Sequence, residues 1–142
     1  MTHTFSMDNQ IPKYDVIRDI PKRAMVIFAH PDDAEIGAGA TAARWSSAGC
    51  EITYVQCTTG SSGSNDTKMT SNRIVSIRST EQRAAADIIG VGEIIVLNHP
   101  DGELEDNRIF LGEVVHVLRK YRPEIVLTHD QQRIHKFQHR DH

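Results

Sequence analysis

At 142 residues and 39% hydrophobic side chains, this chain is long enough for one domain with a packed core, which excludes a disordered tail and a multidomain protein. Its 16 basic and 19 acidic residues give a net charge of −3, without the basic surplus of proteins that bind nucleic acid. No apolar run approaches the roughly 18 residues of a membrane helix, and residues 1–19 lack a signal-peptide pattern, so we expect a cytoplasmic protein with neither nucleic-acid nor membrane partners.

The chain begins with a segment of weak periodicity at residues 1–23, which contains Pro12 and Pro21. Prolines without a repeating apolar pattern indicate an N-terminal arm outside the main fold. The apolar, partly β-branched run at 24–29 then predicts a buried first strand. One domain would therefore span 24–142.

Polar side chains crowd the segment that follows this first strand, between His30 and Glu35. Ligands of open parallel sheets bind at the carboxyl ends of the strands, where this segment would lie. His30 and Asp33, three residues apart around a turn, could point at one divalent metal ion, with Asp32 beside that ion. Two ligands are one fewer than the three protein ligands of a catalytic zinc site. The alternative is that Asp32, Asp33 and Glu35 only cap the next helix.

Helical and extended patterns alternate along the rest of the chain, which is typical of an α/β domain. Gly49 and Gly90 stand where the first two helices would end, with Gly49 suited to a left-handed stop. The predicted helices cover 35–48, 72–89 and a segment between a cap at Asn107 and a stop at Pro123, and the predicted strands cover 51–57, 93–97 and 125–128.

Two cysteines, Cys50 and Cys57, lie at the two ends of the second predicted strand. Seven residues of extended chain span roughly 23 Å. A disulfide needs Cα atoms within about 7 Å of each other, so we expect two free thiols.

The stretch from Thr58 to Ser71 is rich in Gly, Ser, Thr and Asn. Such a composition cannot bury enough apolar area to order itself by packing, which predicts a loop. It would leave the carboxyl end of the second strand, either as a plain connector or as a lid. Neither the lysine-bearing nor the three-glycine phosphate-binding pattern is present.

Arg78 and Glu81 lie three residues apart on the second predicted helix. Side chains at this spacing are neighbours on a helix surface, so one interpretation is an intrahelical salt bridge. The other interpretation is that a carboxylate holds Arg78 towards a substrate pocket.

The C-terminal segment 129–142 holds four of the eight histidines. One interpretation is a disordered histidine-rich tail with adventitious metal affinity. The other follows from topology, because this segment leaves a strand at the same sheet edge as His30 and could supply a third metal ligand. His139 and His142 flank Asp141, a carboxylate able to orient one of the two imidazoles.

Four motifs in chain order, Ala29–Glu35, Arg78–Glu81, Asp101–Gly102 and His139–His142, resemble those of the PIG-L/LmbE family of zinc-dependent N-acetylglucosaminyl deacetylases. The resemblance runs from about residue 24 to the C-terminus. It implies an α/β fold that is a Rossmann-like three-layer sandwich with a mostly parallel sheet. It also implies a metal-dependent hydrolase that removes the N-acetyl group from an N-acetylglucosamine-type substrate through a zinc-activated water.

The same resemblance implies a metal site. His30 and Asp33 correspond to the first two zinc ligands and His142 to the third, with His135 as a rival for that third position. Zn²⁺ is the implied ion, and Fe²⁺ is an alternative because two imidazoles and one carboxylate suit both.

Roles in catalysis and substrate binding are implied as well. Asp32 corresponds to the general base, His139 to a histidine that stabilises the oxyanion, and Asp141 to the residue that orients this histidine. Arg78 and Asp101 correspond to residues that hold the sugar. The implied partner is a small acetylated amino sugar or its conjugate.

The sequence also departs from the family pattern. Arg140 stands where proline or another neutral residue is common, and Ser61 and Ser62 fill a loop that often carries a glutamate. Family members usually continue further, so we expect the C-terminal portion of the domain to be missing. The alternative function is therefore a non-catalytic or truncated relative that keeps the fold and binds metal without turnover. The open edge of a short sheet favours a homo-oligomer.

Overall fold

The computed structural model describes residues 16–130 and residue 141. Every predicted helix and strand is present, with ends within two residues of the predicted ones. Residues 16–22 contain neither helix nor strand, and the division into an arm and a domain stays a prediction. The elements are β1 (Arg23–Phe28), α1 (Asp33–Ser47), β2 (Glu51–Thr58), α2 (Ser71–Ile89), β3 (Glu93–His99), α3 (Arg108–Tyr121) and β4 (Ile125–Leu127).

The four strands form one parallel sheet in the order β3-β2-β1-β4. Val26 in β1 pairs with Tyr54 in β2 on one side and with Leu127 in β4 on the other. The chain thus moves outward from β1 to β3 and returns through α3 to the opposite side of β1. The strand order reverses between β1 and β4, and parallel sheets bind ligands outside the carboxyl ends of the strands at such a point. This is the predicted Rossmann-like α/β fold.

Three layers result because side chains alternate along each buried strand. On one face Val26 and Phe28 of β1 pack with the buried alanines of α1 and with Ala86 of α2. On the other face Met25 and Ile27 pack with the apolar side of α3. Both faces of β1 are buried, as its continuous apolar pattern predicts.

Small residues let α1 lie close to the sheet. A Cβ atom at Gly37 would come within 3.1 Å of the Phe28 ring, so a larger residue there would push the helix away. Close packing places the N-terminus of α1, which begins at Asp33, directly beside the end of β1.

The predicted helix ends are confirmed. Gly90 ends α2 in the left-handed conformation, with φ of +87°, and its N–H donates to the carbonyl of Ala86. The side chain of Asn107 accepts from the N–H groups of Ile109 and Phe110, both at 3.0 Å. Among the described residues, no helix combines the length and the apolar character needed to cross a membrane.

Both cysteines are buried free thiols, as predicted. Burial raises the pKa of Cys57 to about 12, and the negative charges of Glu113, Asp141 and Asp33 act in the same direction. This thiol is therefore an apolar core group rather than a nucleophile.

Candidate metal centre and active site

The polar loops that follow several strands meet at the carboxyl edge of the sheet. His30 and Asp33 follow β1, Asp101 follows β3, and His129 follows β4. Asp141 lies against the turn after β3. The parallel arrangement brings these residues together, because all carboxyl ends of the strands share one edge.

His30 is the centre of this group. Its Nε2 atom lies 3.1 Å from Asp101 Oδ1 and 3.1 Å from Asp141 Oδ2. On the other side of the ring, Nδ1 lies 3.4 Å from Asp33 Oδ2, which also accepts the backbone N–H of His30 at 2.9 Å. Burial lowers the pKa of His30, but hydrogen bonds to Asp33 and Asp141 and the charge of Asp101 outweigh it, so the pKa is raised. The imidazole is enclosed by three carboxylates.

Asp141 is held in place by the turn after β3. Its side chain is fully buried and accepts from the N–H groups of Gly102, at 2.7 Å, and Leu104, at 3.1 Å. Burial raises the pKa of this carboxyl, yet the two N–H donors and His30 outweigh burial and lower it. Gly102 has φ of +83°, a conformation that favours glycine. The predicted Asp101–Gly102 turn therefore also anchors Asp141.

The described residues contain a donor set that fits a divalent metal ion. Ligand atoms of His30, Asp101 and Asp141 all lie within 4.8 Å of one another. One imidazole and two carboxylates suit zinc, and also ferrous iron. The predicted set of His30, Asp33 and His142 shares only His30 with this group. Asp33 lies on the Nδ1 side of the ring, whereas Asp101 and Asp141 lie on the Nε2 side.

Three histidines of the C-terminal segment, His135, His139 and His142, fall outside the described residues. Their predicted roles as third ligand, rival third ligand and oxyanion-stabilising residue stay predictions. Asp141 contacts His30 and backbone N–H groups, and its predicted role in orienting His139 stays a prediction too.

Asp32 has an unusual backbone. It precedes α1 with φ of +90° and ψ of −27°, in the left-handed region that non-glycine residues rarely adopt. Its side chain makes no capping hydrogen bond. Instead, the carboxylate accepts from the Arg78 guanidinium at 2.7 Å. The interpretation of Asp32 as only a helix cap is therefore wrong.

Arg78 reaches from α2 to the turn between β1 and α1. Its terminal nitrogen donates both to Asp32 Oδ2 and to the carbonyl oxygen of Pro31. The intrahelical pair with Glu81, one of the two interpretations, is not found, because the guanidinium contacts Asp32 and Pro31 instead. Arg78 is held by the carboxylate of Asp32 and lines a cavity, and its role towards a substrate stays a prediction.

A cavity of about 390 Å³ opens beside these groups. The loop after β2 forms one wall: Ser62 donates its N–H to Asp101 Oδ2 at 3.0 Å, and a Cβ atom at Gly60 would come within 2.8 Å of Pro31. This glycine-rich loop therefore packs against the site rather than only connecting β2 to α2. The cavity is lined by His30, Pro31, Asp32, Asp33, Gly60, Ser62, Gly63, Arg78 and Asp101.

His129 is a site residue that the sequence analysis missed. Its Nε2 atom accepts the N–H of Ala29 at 3.3 Å and lies 3.5 Å from Asp33 Oδ2. The ring meets the Phe28 ring edge to face, at 4.6 Å between centroids. One signal was available: His129 is the second residue after β4, as His30 is the second residue after β1.

Comparison with known proteins identifies relatives of this chain. The family model described as PIG-L, GlcNAc-PI de-N-acetylase, matches residues 25–142. A diacetylchitobiose deacetylase of Thermococcus kodakarensis is 37% identical over 109 residues, which cover 77% of this chain and 41% of that protein. A mycothiol S-conjugate amidase of Streptomyces coelicolor is 31% identical and matches 77% of this chain and 44% of that protein.

Solved structures share the fold. The N,N′-diacetylchitobiose deacetylase of Pyrococcus horikoshii, complexed with its inhibitor MPG, superposes with a TM-score of 0.82 at 32% identity, over 85% of this chain and 46% of that one. GalB, a 4-carboxy-2-hydroxymuconate hydratase of Pseudomonas putida, gives 0.74 at 26% identity, over 84% of this chain and 51% of that one. The chain thus spans about half the length of the relatives that it matches.

Proposed function

This chain belongs to the PIG-L family, and we propose that it is a metal-dependent N-deacetylase that hydrolyses the acetamido group of an N-acetylglucosamine-type substrate. One observation carries the proposal. The carboxylate of Asp32, held by Arg78, opens into the same cavity as His30 and its surrounding carboxylates. Amide hydrolysis with a metal needs this pairing of a donor set with a proton acceptor beside it.

The metal would be held by His30 and Asp33 together with His142, and Zn²⁺ is the ion that we favour over Fe²⁺. When bound, the ion supplies Lewis acidity, which polarises the acetyl carbonyl and acidifies a water molecule. Asp101 and Asp141 add negative charge on the opposite side of the His30 ring, which favours a cation in this pocket.

Asp32 is the general base. A carbon–oxygen bond first forms from the attacking water to the acetyl carbonyl, and the carbon–nitrogen bond then breaks, so one proton must travel from the water to the leaving amine. The Asp32 carboxylate takes this proton and delivers it to the nitrogen, a role that contributes about 10²- to 10⁴-fold in rate. Arg78 fixes the carboxylate through a charge-assisted hydrogen bond, so its direction is set before substrate arrives.

Arg78 and Asp101 are proposed to hold the sugar, since both line the cavity. In the structure Asp101 Oδ1 lies beside His30 and Oδ2 accepts from Ser62, so its carboxylate would reach a sugar hydroxyl at the edge of the cavity that it lines. His139, oriented by Asp141, is proposed to donate a hydrogen bond to the developing oxyanion. The names of the relatives support the substrate class, which is an acetylated amino sugar or its conjugate.

The test measures products directly. The full 142-residue chain, loaded with Zn²⁺, is incubated with N,N′-diacetylchitobiose, and acetate and free amine are quantified together. We expect equal amounts of both products, and a loss of about 100-fold or more in Asp32→Asn with the metal retained. Asp87→Asn, an equally small change on the exposed side of α2, serves as the control. Metal-loaded protein that releases no acetate would support the non-catalytic alternative and overturn the proposal.

A further inference from the structure

One peptide group beside the cavity is held at both of its ends by α2. The carbonyl oxygen of Pro31 accepts from Arg78, and the N–H of the same peptide group, which belongs to Asp32, donates to Gln82 Oε1 at 3.0 Å. Arg78 and Gln82 are four residues apart, so they project from the same face of the helix. The two side chains form a clamp on the turn between β1 and α1.

The clamp acts where the backbone is strained. Asp32 has φ of +90°, a conformation that an aspartate keeps only when its surroundings impose it. The direction of the Asp32 carboxylate follows from this backbone conformation. Removing either half of the clamp would let the peptide rotate and would turn the carboxylate away from its present position.

Gln82 is itself oriented by Glu35. The Gln82 side chain is buried at 7% exposure, and its Nε2 atom donates to Glu35 Oε1 at 2.9 Å. A carboxylate only accepts hydrogen bonds, so Glu35 binds the NH₂ end of the amide and leaves the oxygen end facing the Asp32 N–H. The chain of contacts from Glu35 through Gln82 to Asp32 joins α1, α2 and the turn.

We propose that Gln82, oriented by Glu35, is a positioning residue that fixes the backbone of Asp32 and thereby aims its carboxylate at the reacting water. The inference rests on the proposed function, since it takes Asp32 as the general base. Arg78 touches the Asp32 carboxylate itself, whereas Gln82 acts on the backbone only. The effect of Gln82 should therefore fall on the chemical step and not on the binding of sugar or metal.

The first experiment compares Gln82→Met with Gln56→Met. Methionine keeps the length of the side chain and removes the amide, and Gln56 is a half-buried glutamine whose amide donates to the Thr58 carbonyl, away from the turn. We expect Gln82→Met to lower kcat about 10- to 100-fold, the range expected for a reacting group misplaced by up to 1 Å. KM and bound metal should stay within about twofold, and Gln56→Met should match the unmodified protein.

The second experiment exchanges the two partners. Gln82→Glu alone sets two carboxylates against each other, and we expect it to lose kcat as Gln82→Met does. Gln82→Glu combined with Glu35→Gln restores one amide donor, one carboxylate acceptor and the total charge, so we expect kcat to recover at least about tenfold over Gln82→Glu. This comparison decides the matter if Gln82→Met does not fold.

The outcomes separate the two proposals. Metal-loaded protein that releases no acetate would overturn the proposed function, whereas full activity in Asp32→Asn would overturn the general-base role of Asp32 and the positioning role with it. An inactive Asp32→Asn together with an unchanged kcat in Gln82→Met would overturn the positioning role alone. A higher KM or lost metal at constant kcat, or an exchanged pair no more active than Gln82→Glu, would also overturn it.

Discussion

The imidazole Nε2 of His129 lies 3.5 Å from the Asp33 carboxylate, although the two residues follow the last and the first strand of the described sheet. They meet because β4 pairs with β1 while the chain between them passes through β2 and β3 first. The strand order reverses between β1 and β4, and α/β sheets of this topology bind ligands at such a point. The position of the site is therefore a consequence of strand order.

His129 should support the metal site through its neighbours. Because its ring accepts the Ala29 N–H and lies against Asp33, we expect His129→Leu to weaken Zn²⁺ binding about 10- to 100-fold, as is usual for residues that orient metal ligands. Competition with a fluorescent chelator measures the affinity. His116→Leu, at an exposed histidine of α3, is the matched control. Equal affinities in the two variants would contradict this role.

Asp33 lies on the Nδ1 side of the His30 ring and Asp101 on the Nε2 side, so variants of the two show which side binds the metal. We expect Asp33→Asn to lose most of the bound Zn²⁺, because the amide that replaces the carboxylate is a poorer ligand. We expect Asp101→Asn to keep the metal and to raise KM about tenfold, because it loses a sugar contact. Elemental analysis after dialysis, with steady-state kinetics, checks both. If Asp101→Asn loses the metal and Asp33→Asn keeps it, the metal is bound by His30, Asp101 and Asp141 instead.

Local patterns in the sequence predicted the helices and strands, since periodicity and end signals such as Gly90 and Asn107 act over a few residues. Long-range contacts were less accessible. Helical spacing brings Arg78 within reach of Glu81, but the tertiary fold offers it the carboxylate of Asp32 and the Pro31 carbonyl instead. The N–H of Asp32 donates to the side chain of Gln82, 50 residues further along the chain, and no local pattern could indicate this contact.

Strand order limited the prediction of the site in the same way. His30 was recognised from its motif, but the approach of Asp101 and Asp141 to its Nε2 atom requires that β3, β2 and β1 be neighbours in a single sheet. His129 was overlooked because its significance comes from the pairing of β4 with β1. Motif order alone cannot show which strand ends adjoin.

The length of the Arg78 side chain should contribute to catalysis as well as its charge. Both contacts come from one terminal nitrogen of Arg78, and lysine carries the same charge on a side chain one atom shorter, which would not reach the Asp32 carboxylate and the Pro31 carbonyl together. We therefore expect Arg78→Lys to lower kcat/KM about 10- to 100-fold with metal content unchanged. Arg73→Lys, at an exposed arginine of the same helix, should be neutral. Kinetics on N,N′-diacetylchitobiose provide the measurement. A fully active Arg78→Lys would show that charge alone suffices.

The buried thiol of Cys57 predicts a loss of stability in alkali. Its pKa is about 12 in the folded protein, against an ordinary value of 9.0 that applies to the unfolded chain. Between these values the unfolded chain releases a proton that the folded protein keeps, so this stabilisation is complete below pH 9 and declines as the pH rises. The slope has an upper limit of about 1.4 kcal/mol per pH unit. Tyr54, whose pKa burial raises to about 12, adds to the decline above pH 10.

Urea unfolding of metal-free protein at pH 8.5, 9.5 and 10.5 measures this dependence. The free energy of unfolding should fall across the series, and it should fall less steeply in Cys57→Ala, which has no thiol to ionise in the unfolded chain. Cys57→Ala will itself be less stable at every pH, because it leaves a small cavity between the sheet and α3. The comparison therefore depends on the slope and not on the absolute value. If the free energy of unfolding falls equally steeply with pH in the two proteins, Cys57 does not remain a neutral thiol in the folded protein as the pH rises. The thiol would then ionise, or this face of the core would open, before global unfolding.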